Sequence, residues 1–211
     1  ARARYQRALQ IQRLHHPEDH PDLEPLHINL GTLAMDQDRW TDAREHFRVA
    51  LEIHRKSGDD ETYGLANLLD NDGVSALRLG DHAAAIDRHT RALAIYTRDH
   101  GDTHPDVVRV RTHLAQADLA AGRHETAAQL AEQQLEALAG AGGDAPEVPQ
   151  LRLVLAETLV LGHDGPAPKD RLSRARDLAR AALARLRADP ARAAEAAAAA
   201  TFLASLPAER P

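Results

Sequence analysis

Apolar residues recur at steps of three and four along two neighbouring stretches of the chain, which is the spacing of one helical face. The first stretch predicts a helix from about Asp22 to Met35, and the second predicts a helix from about Thr41 to Arg55. A polar turn separates them. Because one such pair cannot bury its apolar face alone, the pattern also predicts that neighbouring pairs stack.

The same pattern returns every 42 residues. Small residues and turn positions keep this spacing: Gly31, Gly73 and Ala115; Ala43, Ala85 and Ala127; Ala8, Ala50 and Ala92; and the turn residues Asp38, Gly80 and Gly122. The tripeptide His-Pro-Asp occurs at residues 20–22 and 104–106, two periods apart. We therefore predict an all-α chain made of repeated helix pairs.

The period divides the chain into six segments. Residues 1–16 are predicted to be the second helix of a truncated preceding repeat, and residues 17–58, 59–100 and 101–141 to be three repeats. Residues 142–188 predict a divergent fourth repeat, because Pro146 and Leu155 match Pro105 and Leu114 at a spacing of 41. Residues 189–211 predict a helix and tail that cap the last apolar face.

This arrangement resembles the tetratricopeptide repeat, in which a small residue on the first helix precedes alanine, an aromatic residue and alanine on the second. The matching residues are Gly31, Ala43, Phe47 and Ala50; then Gly73, Ala85, His89 and Ala92; then, with departures, Ala115, Ala127, Ala131 and Gln134. The 42-residue length with His-Pro-Asp at the repeat start is similar to the kinesin-light-chain subtype. The resemblance implies a right-handed α-solenoid of antiparallel helix pairs with a C-terminal capping helix.

The tail from Leu151 onwards resembles, in its order of elements and its composition, the C-terminal repeat region of bacterial serine/threonine protein kinases. The chain does not begin with methionine, so we interpret it as part of a longer or processed polypeptide. The resemblance implies a second hypothesis, in which the chain is the regulatory or substrate-recruiting region of such a kinase. The helix over residues 1–13 would then lack its own partner, which suggests self-association.

Composition narrows the possible functions. The net charge of -6 argues against nucleic-acid binding, which calls for a basic surface. No apolar run approaches the roughly 20 residues needed to span a bilayer, and no signal peptide opens the sequence. The absence of cysteine excludes disulfides and thiolate chemistry. We expect a cytoplasmic location.

Two histidines, His100 and His104, stand four residues apart, a spacing that can bind zinc when both lie on one helix. Gly101 and Pro105 predict a loop and a helix start instead, so we expect no metal site. Proline suits the first helical position, aspartate suits the positive end of the helix dipole, and Thr103 or His104 can accept from a free N–H group. Residues 60–62 are predicted to take this role in the middle repeat.

Motifs for catalysis or cofactor binding do not occur in the sequence. The glycine-rich run at 139–143 follows no predicted strand and precedes no Gly-Lys-Ser/Thr, and no nucleophile elbow or kinase catalytic loop is found. The run from Asp70 to Gly73 lacks the glutamate that closes a calcium loop. We expect that the chain is not an enzyme and binds no cofactor.

In the tetratricopeptide family the first helix of each repeat faces a bound peptide. The resemblance places ten residues on that surface: Asn29, Thr32, Asp36, Asn67, Asn71, Val74, Arg78, Arg109, His113 and Gln116. The amides of Asn29 and Asn71 could pair with both the N–H and the C=O of an extended peptide. The implied function is binding of a protein or peptide of unknown identity; the alternative is a merely solvated face. Asp72 stands where the family usually has leucine, which leaves the local helix register open.

Overall fold

The computed structural model describes residues 2–58, 62–140, 145–162 and 167–207. This part of the chain contains ten α-helices and no strand. The helices are α1 (Arg2–His15), α2 (Glu24–Met35), α3 (Trp40–Ser57), α4 (Tyr63–Arg78), α5 (His82–His100), α6 (Pro105–Ala120), α7 (His124–Gly140), α8 (Val148–Leu161), α9 (Lys169–Arg187) and α10 (Ala193–Ser205). They pack as consecutive pairs, α2 with α3, α4 with α5, α6 with α7 and α8 with α9. The predicted all-α class of paired helices is confirmed.

Two helices begin later than the sequence predicts. A 3-10 turn over Pro21–Leu23 precedes α2, and another over Pro190–Arg192 precedes α10. Proline at the first position fixes the backbone dihedral angle and removes one N–H donor, so the chain enters each helix through a tight turn. The apolar spacing locates the helical face but does not distinguish such a turn from α-helix.

Side chains cap the helix starts as the sequence predicts. His20 Nδ1 accepts a hydrogen bond from the Asp22 N–H at 3.2 Å, and His104 Nδ1 accepts one from the Asp106 N–H at 3.3 Å. Thr62 Oγ1 accepts from the Leu65 N–H at 3.2 Å in the middle repeat, while residues 60 and 61 lie outside the described residues. The His-Pro-Asp tripeptide therefore starts a helix in both copies.

The first helix of three pairs ends in the same way. Asp38, Gly80 and Gly122 have left-handed backbone dihedrals, with φ of 54°, 78° and 76°. The next residue donates its N–H back to a helical carbonyl, as in Arg39 N–H to Ala34 O at 2.9 Å. This is the hydrogen bond of a Schellman motif, which satisfies carbonyls that the helix end leaves open. The three residues that share the 42-residue spacing are therefore turn residues, as predicted.

The chain forms two compact units, Ala1–Gly101 (unit 1) and Asp102–Pro211 (unit 2). In unit 1, Phe47 is fully buried among alanines and Leu68. In unit 2, alanines of α6 and α7 pack with Leu151 and Val154 of α8, and α10 covers α9 through Leu183 and Leu186. These cores use small side chains because the chain contains few aromatic residues.

In unit 1, large side chains of the second helices pack directly on glycines of the first helices. A Cβ atom on Gly31 would lie 2.5 Å from Cε1 of Phe47, and a Cβ on Gly73 would lie 2.7 Å from Cε1 of His89. Both distances are shorter than van der Waals contact. The rings of Phe47 and His89 therefore occupy the space that a side chain at either glycine would need.

Candidate binding surface

Nine of the ten residues predicted to face a peptide lie on first helices, and the tenth directly follows one. Asn29 and Thr32 lie on α2, Asn67, Asn71, Val74 and Arg78 lie on α4, and Arg109, His113 and Gln116 lie on α6, while Asp36 is the C-cap residue directly after α2. Each is exposed or half-buried. Seven of the ten belong to unit 1, where α2 packs beside α4. The other three belong to unit 2.

The amides of Asn29 and Asn71 make no hydrogen bond within the part of the chain that the structure describes. Two neighbouring polar side chains do make hydrogen bonds. Asn67 Nδ2 donates to the Tyr63 carbonyl at 3.3 Å, and Thr32 Oγ1 donates to the Ile28 carbonyl at 3.0 Å. An amide offers two donors and an acceptor. Asn29 on α2 and Asn71 on α4 therefore present unused hydrogen-bonding capacity.

Two arginines on this predicted surface are held by neighbouring side chains. The guanidinium of Arg78 lies 5.1 Å from the ring centroid of Trp40, a cation–π arrangement. In unit 2, Arg109 Nη2 donates to Asp106 at 2.7 Å, one helical turn earlier. Trp40 is the sole tryptophan of the sequence, so its fluorescence reports on unit 1 and on the end of α4.

Asp72 does not disturb the helix register, because α4 continues unbroken from Tyr63 to Arg78. Its side chain is 5% exposed and lies between the arginines of two other helices. Arg88 Nε on α5 donates to Asp72 Oδ2 at 2.8 Å, and Arg44 Nε on α3 lies 3.7 Å from Asp72 Oδ1. One carboxylate thus connects three helices where the family usually has leucine.

His89 also pairs with a carboxylate inside unit 1. Its Nδ1 lies 2.9 Å from Asp70 Oδ1, and both side chains are at most 1% exposed. His89 occupies the position of Phe47 in the preceding repeat, and Asp70 occupies that of Ile28. A polar pair has therefore replaced an apolar pair at one site in the core.

The cluster of His16, His20 and Asp22 could be considered as a metal site, since its donor atoms lie within 4.8 Å of one another. The two imidazole rings are stacked, with centroids 3.9 Å apart and planes inclined by 28°. Imidazole lone pairs lie in the ring plane, so nearly parallel rings do not direct them towards a common ion. His20 Nδ1 also already accepts the Asp22 N–H. The cluster fits a helix cap better than a metal centre.

A pocket of about 760 Å³ lies between α3 and α5, the second helices of unit 1. The positive charges of the arginines that line it are largely compensated by neighbouring carboxylates. Arg48 and Arg55 pair with Glu45 and Glu52 at 2.8 Å, and two others hold Asp72 as described above. The hydrogen bond from Arg48 lowers the pKa of the Glu45 carboxyl. A pocket with these internal ion pairs offers little attraction for an anion, and we assign no ligand to it.

A smaller cleft of about 330 Å³ opens on the first-helix side of unit 2, between α6, α8 and α10. Leu119 of α6 and Leu153 and Val154 of α8 form apolar walls, and Glu157 of α8 lines it. Burial raises the pKa of the Glu157 carboxyl above its ordinary value. The cleft therefore combines apolar walls with a carboxyl group that lacks full solvation.

Among the residues that line this cleft, Gln116 alone belongs to the ten residues predicted from the sequence. The spacing of 41 that relates the fourth repeat to the third carries Gln116 onto Glu157 and Arg109 onto Gln150, both of which line the cleft. That spacing was the signal that could have identified them. The ten predicted residues belong to the first three repeats, and the fourth repeat diverges from these in its turn and second helix.

Asp118 is a buried carboxyl at a position where the two preceding repeats have Ala34 and Ala76. It is 2% exposed, and burial raises its pKa although Arg123 Nη1 lies 3.6 Å from Oδ1. A raised folded-state pKa means that stability falls as the pH rises through the interval above the unfolded value of 3.8. We expect Asp118→Ala to stabilise the chain by about 1–2 kcal/mol at pH 7 and to lose this advantage below that interval.

Urea unfolding followed by circular dichroism between pH 3 and 8 would measure this difference. Asp177→Ala is the matched control, because that carboxyl is 73% exposed and should change stability little. A D118A variant that is less stable than the native chain at pH 7 would contradict the prediction.

The sequence matches the family model described as tetratricopeptide repeat over residues 22–98 and again over 65–139, together more than half of the chain. No curated protein matches the chain. None of the helices in the described ranges combines the length and the apolar character that crossing a membrane requires.

Several solved structures are similar in fold. One shows nearly identical TPR-like repeats of a Podosopora anserina protein assigned as a kinesin light chain, with a TM-score of 0.71 and 18% identity, covering 88% of this chain and 86% of that one. A second structure of such repeats has a TM-score of 0.66 at 18% identity, covering 82% and 83%. BtubC (BKLC) from P. vanneervenii has a TM-score of 0.67 at 18% identity, covering 98% and 75%. At this identity the similarity concerns the fold alone.

Proposed function

This chain belongs to the tetratricopeptide-repeat family, and we propose that its first-helix surface binds an extended peptide segment of a partner protein. The fold is generally a non-catalytic scaffold for protein interactions. The observation that carries the proposal is the pair of amides on α2 and α4, Asn29 and Asn71, which make no hydrogen bond within the described residues. Such amides can hold a peptide backbone whatever its side chains, while neighbouring residues select the sequence.

The test is selection of peptides from a random display library with the native chain. We expect the double substitution Asn29→Ala and Asn71→Ala to weaken the selected peptide at least about tenfold, because hydrogen bonds worth about 1 kcal/mol each are lost from both amides. Fluorescence anisotropy of the labelled peptide measures the affinity, and Trp40 fluorescence checks that unit 1 remains folded. Gln133→Ala removes an exposed amide from α7 and serves as the control. Equal affinity of the double variant and the control would support a merely solvated surface instead.

We also propose, as an alternative for the whole polypeptide, that the chain is the regulatory or substrate-recruiting region of a bacterial serine/threonine kinase. Its support is the resemblance of the tail from Leu151 onwards. Reading the coding sequence upstream of Ala1 decides the matter. A kinase domain there would support the alternative, and a start codon immediately before Ala1 would reject it.

Self-association through α1 is a further proposal. Ile11 and Leu14 on this helix are 49% and 81% exposed, which is unusual for large apolar residues of one helix. Sedimentation equilibrium at increasing concentration tests the proposal. A single monomeric species at the highest concentration would reject it.

A further inference from the structure

The cleft of unit 2 is bounded by three helices that hold their positions through direct contacts. α8 packs on α6, and Gln150 of α8 donates a hydrogen bond to Glu195 of α10. Arg192, in the turn before α10, donates from Nη2 to Glu195 at 2.7 Å and from Nη1 to the Pro146 carbonyl at 2.6 Å. The helices around the cleft are therefore held in place by direct contacts. The cleft exists in the free chain and is not a gap between loosely packed helices.

Two carboxylates line this cleft, and they differ in their hydrogen-bond and ion-pair partners. The carboxylate of Glu195 accepts hydrogen bonds from the side chains of Gln150 and Arg192. Glu157 receives no hydrogen bond and no ion pair from the residues that the structure describes, and only burial affects its pKa. A partly desolvated carboxylate without a counter-charge is unfavourable in the free chain, and a bound cation would relieve this cost.

The walls beside Glu157 limit which cation fits. Leu119, Leu153 and Val154 are apolar, and the backbone around them is helical, so a fully hydrated ion would gain little from the site. A basic side chain can lay its methylene stem along such walls and place its charged end at the carboxylate. Arginine is the better fit, because guanidinium is more weakly hydrated than ammonium and suits partly buried ion pairs.

We propose that the cleft between α6, α8 and α10 binds a basic side chain of a partner peptide, with Glu157 as its counter-charge and Leu119, Leu153 and Val154 against its stem. This inference rests on the proposed function, since the cleft lies on the first-helix side of unit 2. It adds the chemical class of one peptide residue and a binding position outside the ten residues predicted from the sequence.

The first experiment uses the peptides selected with the native chain. We expect a basic residue at one fixed peptide position, and we expect its replacement by citrulline to weaken binding at least about tenfold, as loss of a charge-assisted hydrogen bond predicts. Glu157→Gln should have the same effect on the native peptide, whereas Glu136→Gln, which makes the same change of charge at an exposed position of α7, should leave the affinity unchanged. Selected peptides without a basic position, or equal affinities of E157Q and E136Q, would overturn the inference and leave the proposed function standing.

A second experiment does not depend on any selected peptide. N-acetyl-arginine methylamide is titrated into methyl-labelled chain, with N-acetyl-citrulline methylamide as the neutral probe. Saturable shifts of the Leu119, Leu153 and Val154 methyl signals with the arginine probe alone, present in E136Q and absent in E157Q, would support the cleft even if no peptide were selected. Absence of saturable shifts in the native chain, or shifts that persist in E157Q, would reject it.

Discussion

Replacing Phe47 with alanine is expected to lower the free energy of unfolding of unit 1 by about 3–5 kcal/mol. The ring is completely buried between α2 and α3, packed on Gly31 and surrounded by Ala34, Ala43 and Leu68. Its removal takes away the largest apolar side chain of that cluster and leaves a cavity that rigid helices cannot close fully. Chemical denaturation followed by Trp40 fluorescence measures the change, since Trp40 belongs to α3 of the same unit.

The same site provides an internal control, because Gly31 and Phe47 should be energetically coupled. Gly31→Ala alone places a Cβ 2.5 Å from the ring, which we expect to destabilise the chain by about 1–3 kcal/mol despite the better helix propensity of alanine. In the F47A background the ring is absent, so the same substitution should become neutral or stabilising. Strictly additive effects of the two substitutions would contradict this account of the packing.

The third repeat illustrates the same complementarity with different residues. Ala115 and Ala131 stand at the positions of Gly31 and Phe47, and both are buried in the core of unit 2. A larger residue on the first helix is accommodated where the second helix carries a smaller one. At these two positions, the departure of this copy from the family pattern is therefore a compensated change of volume.

Much of the fold could be predicted because its signals are local or periodic. The 42-residue spacing, the caps at His20 and His104 and the left-handed turn at Gly80 depend on residues close in sequence, and the structure agrees with each. The resemblance to tetratricopeptide repeats of the kinesin-light-chain type is likewise confirmed. α2 and α10 begin later than the sequence predicts, because a 3-10 turn that starts with proline precedes each of them.

The candidate site could be predicted less well from the sequence, because its chemistry depends on residues that are far apart in the chain. The pattern marked Asp72 as unusual but could not indicate Arg44 and Arg88, which reach it from other helices. Similarly, nothing in the local sequence distinguishes Glu157, without a counter-charge, from Glu195, which has two partners. Whether the ten predicted residues contact a peptide remains a prediction.

Replacing His89 with phenylalanine is expected to destabilise unit 1 by about 3 kcal/mol, although phenylalanine is the residue that the first repeat has at this position. Gly73 already leaves space for a ring, so the steric fit is not the reason. The reason is Asp70, whose carboxylate is 1% exposed and would lose the imidazole 2.9 Å away. Denaturation at pH 7, followed by Trp40 fluorescence, measures the loss.

The double variant Asp70→Ile with His89→Phe reproduces the pair Ile28 and Phe47 of the first repeat, and it should recover most of that loss. Replacing both members of a buried polar pair by well-packed apolar residues is often neutral or stabilising, whereas removing one member is costly. Asp70→Ile alone should be destabilising as well, because His89 then loses the carboxylate. The three variants form a double-mutant cycle with a large favourable coupling energy. A double variant whose loss equals the sum of the single losses would show that the buried pair does not act as one unit.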